Sequence, residues 1–278
     1  MNITTLLDKV YFAPRLKKID FYANRAGELQ HRVLDRLVRM AENTEWGKKY
    51  DYKSIHTYED FRNRLPIQTY EEVKPYVERL RAGEQNLLWP SEIRWFAKSS
   101  GTTNDKSKFL PVSKEALNDT HYQGGKDAVA LYLGQNPDSR FFSGQGLILG
   151  GSHSPNLNSR HGLVGDLSAI LIQNIHPLVN CVRVPSKKIA LMSDFEKKIE
   201  AIANSAISKD VTSLSGVPSW MLVLIKRILE KTGKQSLEEI WPNLEVFFHG
   251  GVAFTPYREQ YKEVIRSPKM HYVETYNA

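Results

Sequence analysis

Residues 211–229, VTSLSGVPSWMLVLIKRIL, and residues 244–265, LEVFFHGGVAFTPYREQYKEVI, each predict a strand followed by a helix. In the first stretch, an apolar strand at 211–214 precedes Pro218, a residue type that favours the first position of a helix. In the second, the strand at 244–248 is followed by a glycine pair and a helical segment. Strands that alternate with helices in this way predict an α/β fold with parallel crossovers.

The same alternation extends outward from these two stretches. The further predicted elements are strand 146–150, helix 195–207, helix 221–229, helix 256–265 and strand 272–275. Residues 91–278 are therefore predicted to form mixed or parallel sheets covered by helices. No internal repeat or low-complexity linker interrupts this part of the sequence.

The first ninety residues have the periodicity of helices instead. One long amphipathic helix is predicted from an apolar stripe with helical spacing, which consists of Ala26, Leu29, Val33, Leu37 and Ala41. Two shorter helices are predicted over Tyr58–Arg64 and Tyr70–Arg81. Thr69 is the expected N-cap of the second and Gly83 its stop, while Pro75 is expected to break it into two pieces. Residues 1–90 are thus predicted to be a helical region packed on the sheets.

The composition is that of an ordinary globular protein. Of the 278 residues, 41% are hydrophobic and 25% are charged, and the formal net charge is +7. Basic residues are interleaved with acids, as in EKKIE at 196–200, which predicts a solvated surface and argues against a nucleic-acid partner. No apolar stretch approaches the roughly 18 residues of a spanning helix, so no membrane partner is expected. Cys181 is the only cysteine, and the N-terminus lacks a signal-peptide pattern, which together favour a cytoplasmic protein.

The loop at residues 99–108, SSGTTNDKSK, is the richest in candidate functional groups. A strand is predicted on either side, since Ile93, Trp95 and Ala97 alternate with polar residues and FLPV follows at 109–112. A triphosphate requires close backbone N–H donors, hydroxyl donors and a cation, all of which this loop contains. It lacks the GxxxxGK pattern, however, and the same composition is also typical of an ordinary turn. Beyond the second strand, a helix is predicted to start at a serine N-cap.

Two further loops follow predicted strands. Residues 247–256, FFHGGVAFTP, contain a glycine pair that leaves room for a flat ligand at the kind of strand end where open α/β sheets bind ligands. The same pair is also typical of a tight turn between a strand and a helix. Residues 274–278, ETYNA, offer Tyr276 for stacking or hydrogen bonding, although an ordinary strand end has the same features.

Other patterns of catalytic and metal sites are weak or missing. His153 and His161 flank a loop, but no further ligand stands at metal spacing, so both are interpreted as polar loop residues. No metal site is therefore predicted within the chain. The sequence contains neither the GxSxG of hydrolases nor the GxGxxG of dinucleotide-binding folds.

Several segments together resemble a known family. They are AENTEWGKKY (41–50), LPIQTYEEVKPYVERLRAGE (65–84), WFAKSSGTTNDKSKFLPVSKEAL (95–117), SGVPSWM (215–221) and FFHGGVAFTPYREQY (247–261). The three loops, in this order, resemble the acyl-adenylate-forming superfamily of acyl-CoA synthetases and luciferases. The closer resemblance, which covers the whole chain, is to the auxin-responsive promoter family of acyl acid amido synthetases, in what look like bacterial members.

This resemblance implies roles for particular residues. The residues implied to hold the phosphates of ATP are Ser99, Ser100, Gly101, Thr102, Thr103 and Lys108. Lys108 would be the family's loop lysine and is the one catalytic candidate, while Thr103 stands where plant members usually have serine. The residues implied to line the adenine and acyl pocket are Gly250, Gly251 and Val252. The residues that would open the adenine-binding motif are Thr275, Tyr276 and Asn277.

The resemblance also implies a ligase reaction. A carboxylic acid would be activated by ATP as an acyl-adenylate and then transferred to the amine of an amino acid, with Mg²⁺ as the accompanying ion. The expected partners are thus a small-molecule carboxylic acid and an amino acid. Two alternatives stay open, which are an acyl-CoA-forming ligase of the same superfamily and a non-catalytic nucleotide-binding module.

The family's adenine-binding pattern continues after Asn277 into Ser-Glu, whose glutamate is the implied magnesium ligand. The sequence ends at Ala278, before this Ser-Glu. Residues 1–278 are therefore expected to be the N-terminal part of the large ATP-binding domain, with the C-terminal lid domain absent. This chain by itself is therefore expected to bind nucleotide weakly and not to catalyse adenylation.

Overall fold

The computed structural model describes residues 3–99 and 108–276, except for the side chain of Leu178. These residues form two compact units, each built from separate stretches of the chain. The first unit takes its described residues from 1–16, 124–153 and 168–278. The second takes its described residues from 17–123 and 154–167.

The described residues contain both helices and strands, and the first strand begins at Trp95. Twelve α-helices lie in the described residues, namely α1 (Ile3–Leu7), α2 (Ala13–Asn24), α3 (Ala26–Ala41), α4 (Glu45–Lys49), α5 (Tyr58–Arg64), α6 (Tyr70–Arg81), α7 (Gln123–Gln135), α8 (Leu167–Asn174), α9 (Lys187–Ala190), α10 (Phe195–Ala206), α11 (Pro218–Thr232) and α12 (Arg258–Val264). Two π-helical stretches, Asp8–Phe12 and Ala116–Tyr122, precede α2 and α7. The described strands are β1 (Trp95–Lys98), β2 (Phe109–Val112), β3 (Gln145–Leu149), β4 (Leu163–Gly165), β5 (Arg183–Val184), β6 (Val211–Gly216), β7 (Val246–His249) and β8 (His271–Glu274).

The first unit contains a five-stranded sheet in the order β5-β3-β6-β7-β8. Every neighbouring pair in it is parallel, as in the pairing of Ser213 with Val246 and of Val246 with His271. Helices connect the strands, so the predicted α/β fold with parallel crossovers is confirmed. All carboxyl ends of these strands lie along one edge of the sheet, the carboxyl edge.

Strand β6 and the helix α11 that follows it show why the sequence adopts this fold locally. The first four residues of β6 are all buried, as expected for a central strand covered on both faces. Val217 is extended and Pro218 takes the first helical position, where its missing N–H costs nothing. The helix ends at Gly233, whose φ of +67° is the left-handed conformation that favours glycine.

Both faces of the five-stranded sheet are covered by side chains. On β7, Phe247 packs into the large core that also contains Trp241 and Tyr261. The neighbouring Val246 points to the other face, in the cluster that includes Tyr132 of α7. Trp241 is fully buried and its Nε1 donates to the carbonyl of Ala206 at 3.2 Å, so its one polar group is satisfied.

The second unit contains a three-stranded sheet in the order β2-β1-β4. The pair β1–β2 is antiparallel and the pair β1–β4 is parallel. The two strands predicted on either side of residues 99–108 are therefore confirmed. The predicted alternation along β1 is wrong, because Phe96 is fully buried and Ala97 is nearly so. A central strand covered on both faces has no solvated side to alternate with.

Helices α3, α5 and α6 have the predicted bounds, but two details differ. On α3 the buried residues are Val38 and Ala41, whereas Val33 and Leu37 of the predicted stripe are 46% and 41% exposed. The buried face thus keeps Ala41 of the predicted stripe but has Val38 in place of Leu37. Pro75 does not break α6 into two pieces, although it lies in the interior of the helix and removes one i to i−4 hydrogen bond there.

The predicted caps are present. Thr69 precedes α6 in a capping box, in which its N–H donates to the carboxylate of Glu72 at 2.6 Å. Gly83 follows α6 with a φ of +108°. Ser113 accepts a hydrogen bond from the N–H of Ala116 at 3.0 Å, as expected of an N-cap.

The sequence-based division between residues 1–90 and 91–278 follows helix content and stays a prediction. Residues 3–90 are all described, and they contain helices and turns but no strand. Within the described ranges, none of the helices combines the length and apolar character that crossing a bilayer would require.

Candidate functional site

The base of the polar loop between β1 and β2 is closed by Ser99 and Lys108. The N–H of Ser99 donates to the carbonyl of Lys108 at 2.9 Å, and the N–H of Lys108 donates back to the Ser99 hydroxyl oxygen at 3.0 Å. These bonds continue the hairpin by one residue pair beyond the strands. Ser99 therefore fixes the geometry with which the loop leaves the sheet.

Tyr70, at the start of α6, anchors the same loop and was missed in the sequence. Its hydroxyl oxygen accepts from the N–H of Phe109 at 2.9 Å, and the hydroxyl lies 3.3 Å from the Phe109 carbonyl. The ammonium of Lys108 lies 5.5 Å from the centre of the Tyr70 ring, within the range of a cation–π contact. In the sequence, the only sign of this role was the Thr-Tyr pair at the start of a predicted helix. The strand that Tyr70 contacts lies about forty residues further along the chain.

Several predicted site residues fall outside the part of the chain that the structure describes. They are Ser100, Gly101, Thr102, Thr103 and Asn277. Their assigned roles stay predictions from the sequence. Ser99 and Lys108 bracket four of them, so the described residues show where that loop begins and ends.

A second group of predicted residues meets at the carboxyl edge of the first unit. The carbonyl of His249, the last residue of β7, accepts from the N–H of Thr275 at 2.6 Å and from its hydroxyl at 3.0 Å. These two bonds tie the chain after β8 to the chain after β7. The structure thus brings Gly250 and Thr275 together, two residues that the family resemblance assigned to separate loops.

The two glycines at this edge are required for different physical reasons. A Cβ atom at Gly250 would overlap the carbonyl oxygen of Thr275, so the neighbouring strand end requires glycine at this position. Gly251 has a φ of +85°, and a Cβ atom there would lie 3.2 Å from Val217. Only the second glycine is exposed, together with Val252.

Exposed groups beside this turn can accommodate a flat ligand. Tyr276 is 92% exposed, and residues 251–253 are exposed along the turn. An aromatic ring and a glycine backbone are the groups on which a planar base can lie. Gly251 and Tyr276 are therefore the described groups at this edge that are exposed and of the kind that a planar ring contacts.

His249 is a buried histidine to which the sequence motifs assigned no role. It is 3% exposed, and its ring stacks on Phe254 with centroids 4.3 Å apart. Its Nδ1 has no hydrogen-bond partner among the described residues. Burial lowers the pKa of His249, with Arg258 acting in the same direction and Glu274 opposing it. The ring is therefore neutral at pH 7 and belongs to the aromatic layer beneath the carboxyl edge.

Lowering the pH from 7 to 5 is expected to destabilise the first unit through His249. Because the folded pKa lies below the unfolded value of about 6.5, the unfolded chain binds the proton more readily and stability falls as the pH drops through that value. The variant His249→Phe keeps an aromatic ring against Phe254 and should show a weaker pH dependence. Urea unfolding at both pH values measures this, with His31→Phe at an exposed position as the control. Equal pH dependence in the His249→Phe and wild-type proteins would contradict the expectation.

Lys198 is a buried lysine of α10, and its ammonium lies at the carboxyl end of β3. It is 2% exposed, and its ammonium donates to the carbonyls of Gly150 and Gly151 at 2.7 and 2.8 Å. The prediction of a solvated surface for residues 196–200 is therefore wrong at this position. The reason is helical spacing, since Lys198 lies four residues before the buried Ile202 on the inner side of α10.

The two histidines interpreted as loop residues lie in different units. Burial lowers the pKa of His153, and the nearby charge of Lys198 acts in the same direction. His161 packs beside Gly83 in the second unit. Throughout the residues that the structure describes, no three His, Cys, Asp or Glu side chains form a group able to hold a metal ion.

Comparison with known proteins identifies the family. The model of the GH3 family N-terminal domain matches residues 15–270. Among curated proteins, the indole-3-acetic acid-amido synthetase GH3.2 of Arabidopsis thaliana is 30% identical over 103 residues, which are 37% of this chain and 19% of that protein. The jasmonoyl–L-amino acid synthetase JAR4 of Nicotiana attenuata is 26% identical over 106 residues, 38% of this chain and 18% of that protein.

A solved structure shares the fold over nearly the whole chain. The GH3.15 acyl acid amido synthetase superposes with a TM-score of 0.73 and 16% sequence identity, covering 95% of this chain and 55% of that one. This chain thus spans about half the length of the solved relative and a smaller share of the curated ones. The resemblance drawn from the sequence motifs is confirmed by the family match, and the chain belongs to the GH3 family.

Proposed function

We propose that this chain is the nucleotide- and acid-binding part of an acyl acid amido synthetase, which joins a carboxylic acid to the amine of an amino acid at the expense of ATP. The observation that carries the proposal is the family match over residues 15–270. The relatives named above are amido synthetases by their descriptions. The arrangement of the carboxyl edge, with Gly251 and Tyr276 exposed, supports it as a place for a nucleotide base.

The proposed reaction has two steps. A carboxylate oxygen of the acid attacks the α-phosphorus of ATP, the bond to the bridging oxygen breaks, and pyrophosphate leaves. The amine of the amino acid then attacks the carbonyl carbon of the acyl-adenylate, loses a proton and displaces AMP. The first step mainly needs positive charge and fixed hydrogen-bond donors around the phosphates, since little acid–base chemistry is involved.

Particular residues are proposed for these tasks. Lys108 would place its ammonium near the phosphates, with the Tyr70 ring restricting the directions it can take. Ser99 would fix the departure of the loop from the sheet. The remaining proposed phosphate contacts, based on the sequence, are Ser100, Gly101, Thr102 and Thr103. The remaining proposed contacts to adenine and the acyl group are Gly250, Gly251, Val252, Thr275, Tyr276 and Asn277.

Two accompanying features are proposed as well. When bound, Mg²⁺ would supply positive charge to the phosphates, and none of the described residues is assigned to it. A cytoplasmic location is proposed because the sequence contains a single cysteine, Cys181, which is exposed and free.

Replacing Lys108 with alanine is expected to slow adenylation by about 10²–10³-fold, because one charged donor to the phosphates is lost. The measurement is pyrophosphate release in the presence of ATP, Mg²⁺ and a panel of carboxylic acids, using the protein as its gene encodes it. Lys114→Ala removes an exposed lysine six residues away and serves as the control. If Lys108→Ala releases pyrophosphate at the rate of Lys114→Ala, the phosphate role is wrong.

An acceptor screen tests the second step. The protein is supplied with the preferred acid, ATP and either amino acids or coenzyme A, and the products are identified by mass spectrometry. An amide product supports the proposal, whereas a thioester favours the acyl-CoA-forming alternative. No pyrophosphate release with any acid would favour the non-catalytic nucleotide-binding module.

A further inference from the structure

A groove lies on the surface of the first unit, between the helices α10 and α11. Its volume is about 670 Å³. The residues that line it are Phe195, Glu196, Ile199, Glu200, Val223, Lys226, Arg227 and Glu230. Three of these residues are apolar and the other five are charged. The groove thus combines the two kinds of contact from which protein interfaces are built.

The apolar part of this surface extends beyond the groove to Trp220. Phe195, Trp220 and Val223 are 41%, 41% and 48% exposed. The rings of Phe195 and Trp220 meet edge to face, with their centroids 5.9 Å apart. Trp220 lies one turn before Val223 on α11, so its ring borders the groove. Adjoining aromatic and aliphatic side chains that are exposed together mark surfaces of protein association.

Most charges around the groove are neutralised within the molecule. Arg227 donates to Glu200 at 2.8 Å and to Glu230 at 2.7 Å. Glu200 also pairs with the ammonium of Lys231. These four side chains carry two charges of each sign, so they need no ionic partner from another molecule.

Two charges on opposite sides of the groove have no ionic partner among the described residues. Glu196 of α10 is exposed, and the neighbouring Lys197 pairs with Asp194 instead. Lys226 of α11 is exposed as well, and its ammonium donates to the neutral side chain of Gln260 at 3.4 Å. One negative and one positive charge thus remain available, each on its own helix.

The two helices run in the same direction along the groove. Phe195 meets Trp220 near the start of both helices, and Glu200 meets Arg227 further along both. The two charges without an ionic partner lie between these contacts. At 1.5 Å per residue they are therefore separated by roughly 6 Å along the groove, a distance that two long side chains can span.

A surface of this kind is complementary to itself. A two-fold axis along the groove places α10 of each copy against α11 of the other. Glu196 then faces the partner's Lys226, and the reverse contact forms at the same time. The same operation brings the paired rings of Phe195 and Trp220 together with those of the partner. A second copy therefore supplies both missing charges and an aromatic contact.

We propose that this face of α10 and α11 is the interface of a symmetric homodimer. The occupant is a second copy of the chain because the face carries both signs of charge in equal number, which an isologous contact requires. The proposal does not rest on the proposed function, since neither helix contributes a residue to the proposed contacts with ATP or the acid.

Sedimentation of the protein as its gene encodes it tests the dimer. Between about 1 and 100 µM, a reversible equilibrium of monomer and dimer is expected, since interfaces of ordinary size reach micromolar affinity or better. Trp220→Ala should raise the dissociation constant at least about 30-fold, as the loss of a central aromatic side chain does. Val10→Ala, at an apolar residue of the same unit that is 71% exposed, should leave it unchanged. A monomer throughout this range, or equal dissociation constants for Trp220→Ala and wild type, would overturn the proposal.

A charge exchange tests the symmetry of the contact. Glu196→Lys and Lys226→Glu each place like charges opposite each other, so each variant alone should dimerise at least about tenfold more weakly. Mixed in equal amounts, the two variants can form a heterodimer with opposite charges at both contacts, and affinity should return to about the wild-type value. Both positions are exposed, so the melting temperature of each monomer should not change. A mixture that dimerises as weakly as its components would show that Glu196 and the partner's Lys226 do not meet.

Discussion

Replacing Gly250 with alanine is expected to destabilise the first unit by about 3 kcal/mol, the upper part of the range for overpacking a site that cannot move easily. The added Cβ would overlap the Thr275 carbonyl, which is backbone and cannot rotate away. Relief requires the chain after β8 to separate from β7, and that breaks the two bonds from Thr275 to the His249 carbonyl. Any nucleotide binding at the carboxyl edge should be lost along with them.

Urea unfolding of the purified variant measures the effect, and Gly124→Ala provides the matched control. Gly124 lies in α7 of the same unit, and no atom stands within 4 Å of a Cβ placed there. Alanine in that helix should be neutral or should stabilise by about 0.5–1 kcal/mol. Similar stabilities for the Gly250→Ala and Gly124→Ala proteins would show that the strand ends are not as close as described.

Lys198→Ala is the second substitution with a large expected effect, about 3–5 kcal/mol of unfolding free energy. It removes a fully buried side chain and leaves the carbonyls of Gly150 and Gly151 without their donor. Buried acceptors that lose their partners each cost on the order of 1–3 kcal/mol. Since this turn leaves the carboxyl end of β3, local order at that end should decrease as well.

Two variants separate the causes. Lys198→Met fills most of the volume without donating, so its loss of stability should lie between those of wild type and Lys198→Ala. Lys197→Ala changes the neighbouring lysine, whose side chain is 76% exposed and paired with Asp194. The free energy of unfolding of this variant should stay within about 0.5 kcal/mol of the wild-type value. Equal effects of the Lys197→Ala and Lys198→Ala substitutions, measured by urea unfolding, would contradict the buried role of Lys198.

The elements that local sequence specifies were predictable. The Pro218 helix start, the Thr69 cap and the Gly83 stop each depend on residues within one or two turns, and all three occur in the structure. The alternation of strands and helices around residues 211–265 likewise predicts a parallel sheet. Two of the five segments that carry the family resemblance, 215–221 and 247–261, lie in these same stretches.

Features that depend on distant partners were not predictable. The periodicity of α3 fits two adjacent faces, and only the packing of its neighbours selects the face with Val38. The charged run at 196–200 has the composition of a surface, and the burial of Lys198 depends on carbonyls almost fifty residues away. The role of Tyr70 at the base of the polar loop depends on Phe109 in the same manner.

The interleaved order of the two units has a consequence for synthesis on the ribosome. The second unit needs β4, so its three-stranded sheet cannot form until residue 165 has left the exit tunnel. By then β3 has been made, but its sheet cannot assemble until β6 and β7 have also left the exit tunnel. Neither unit is a contiguous stretch of the chain, so vectorial folding completes the second unit before the first, although residues 1–16 of the first unit are made earlier than any part of the second.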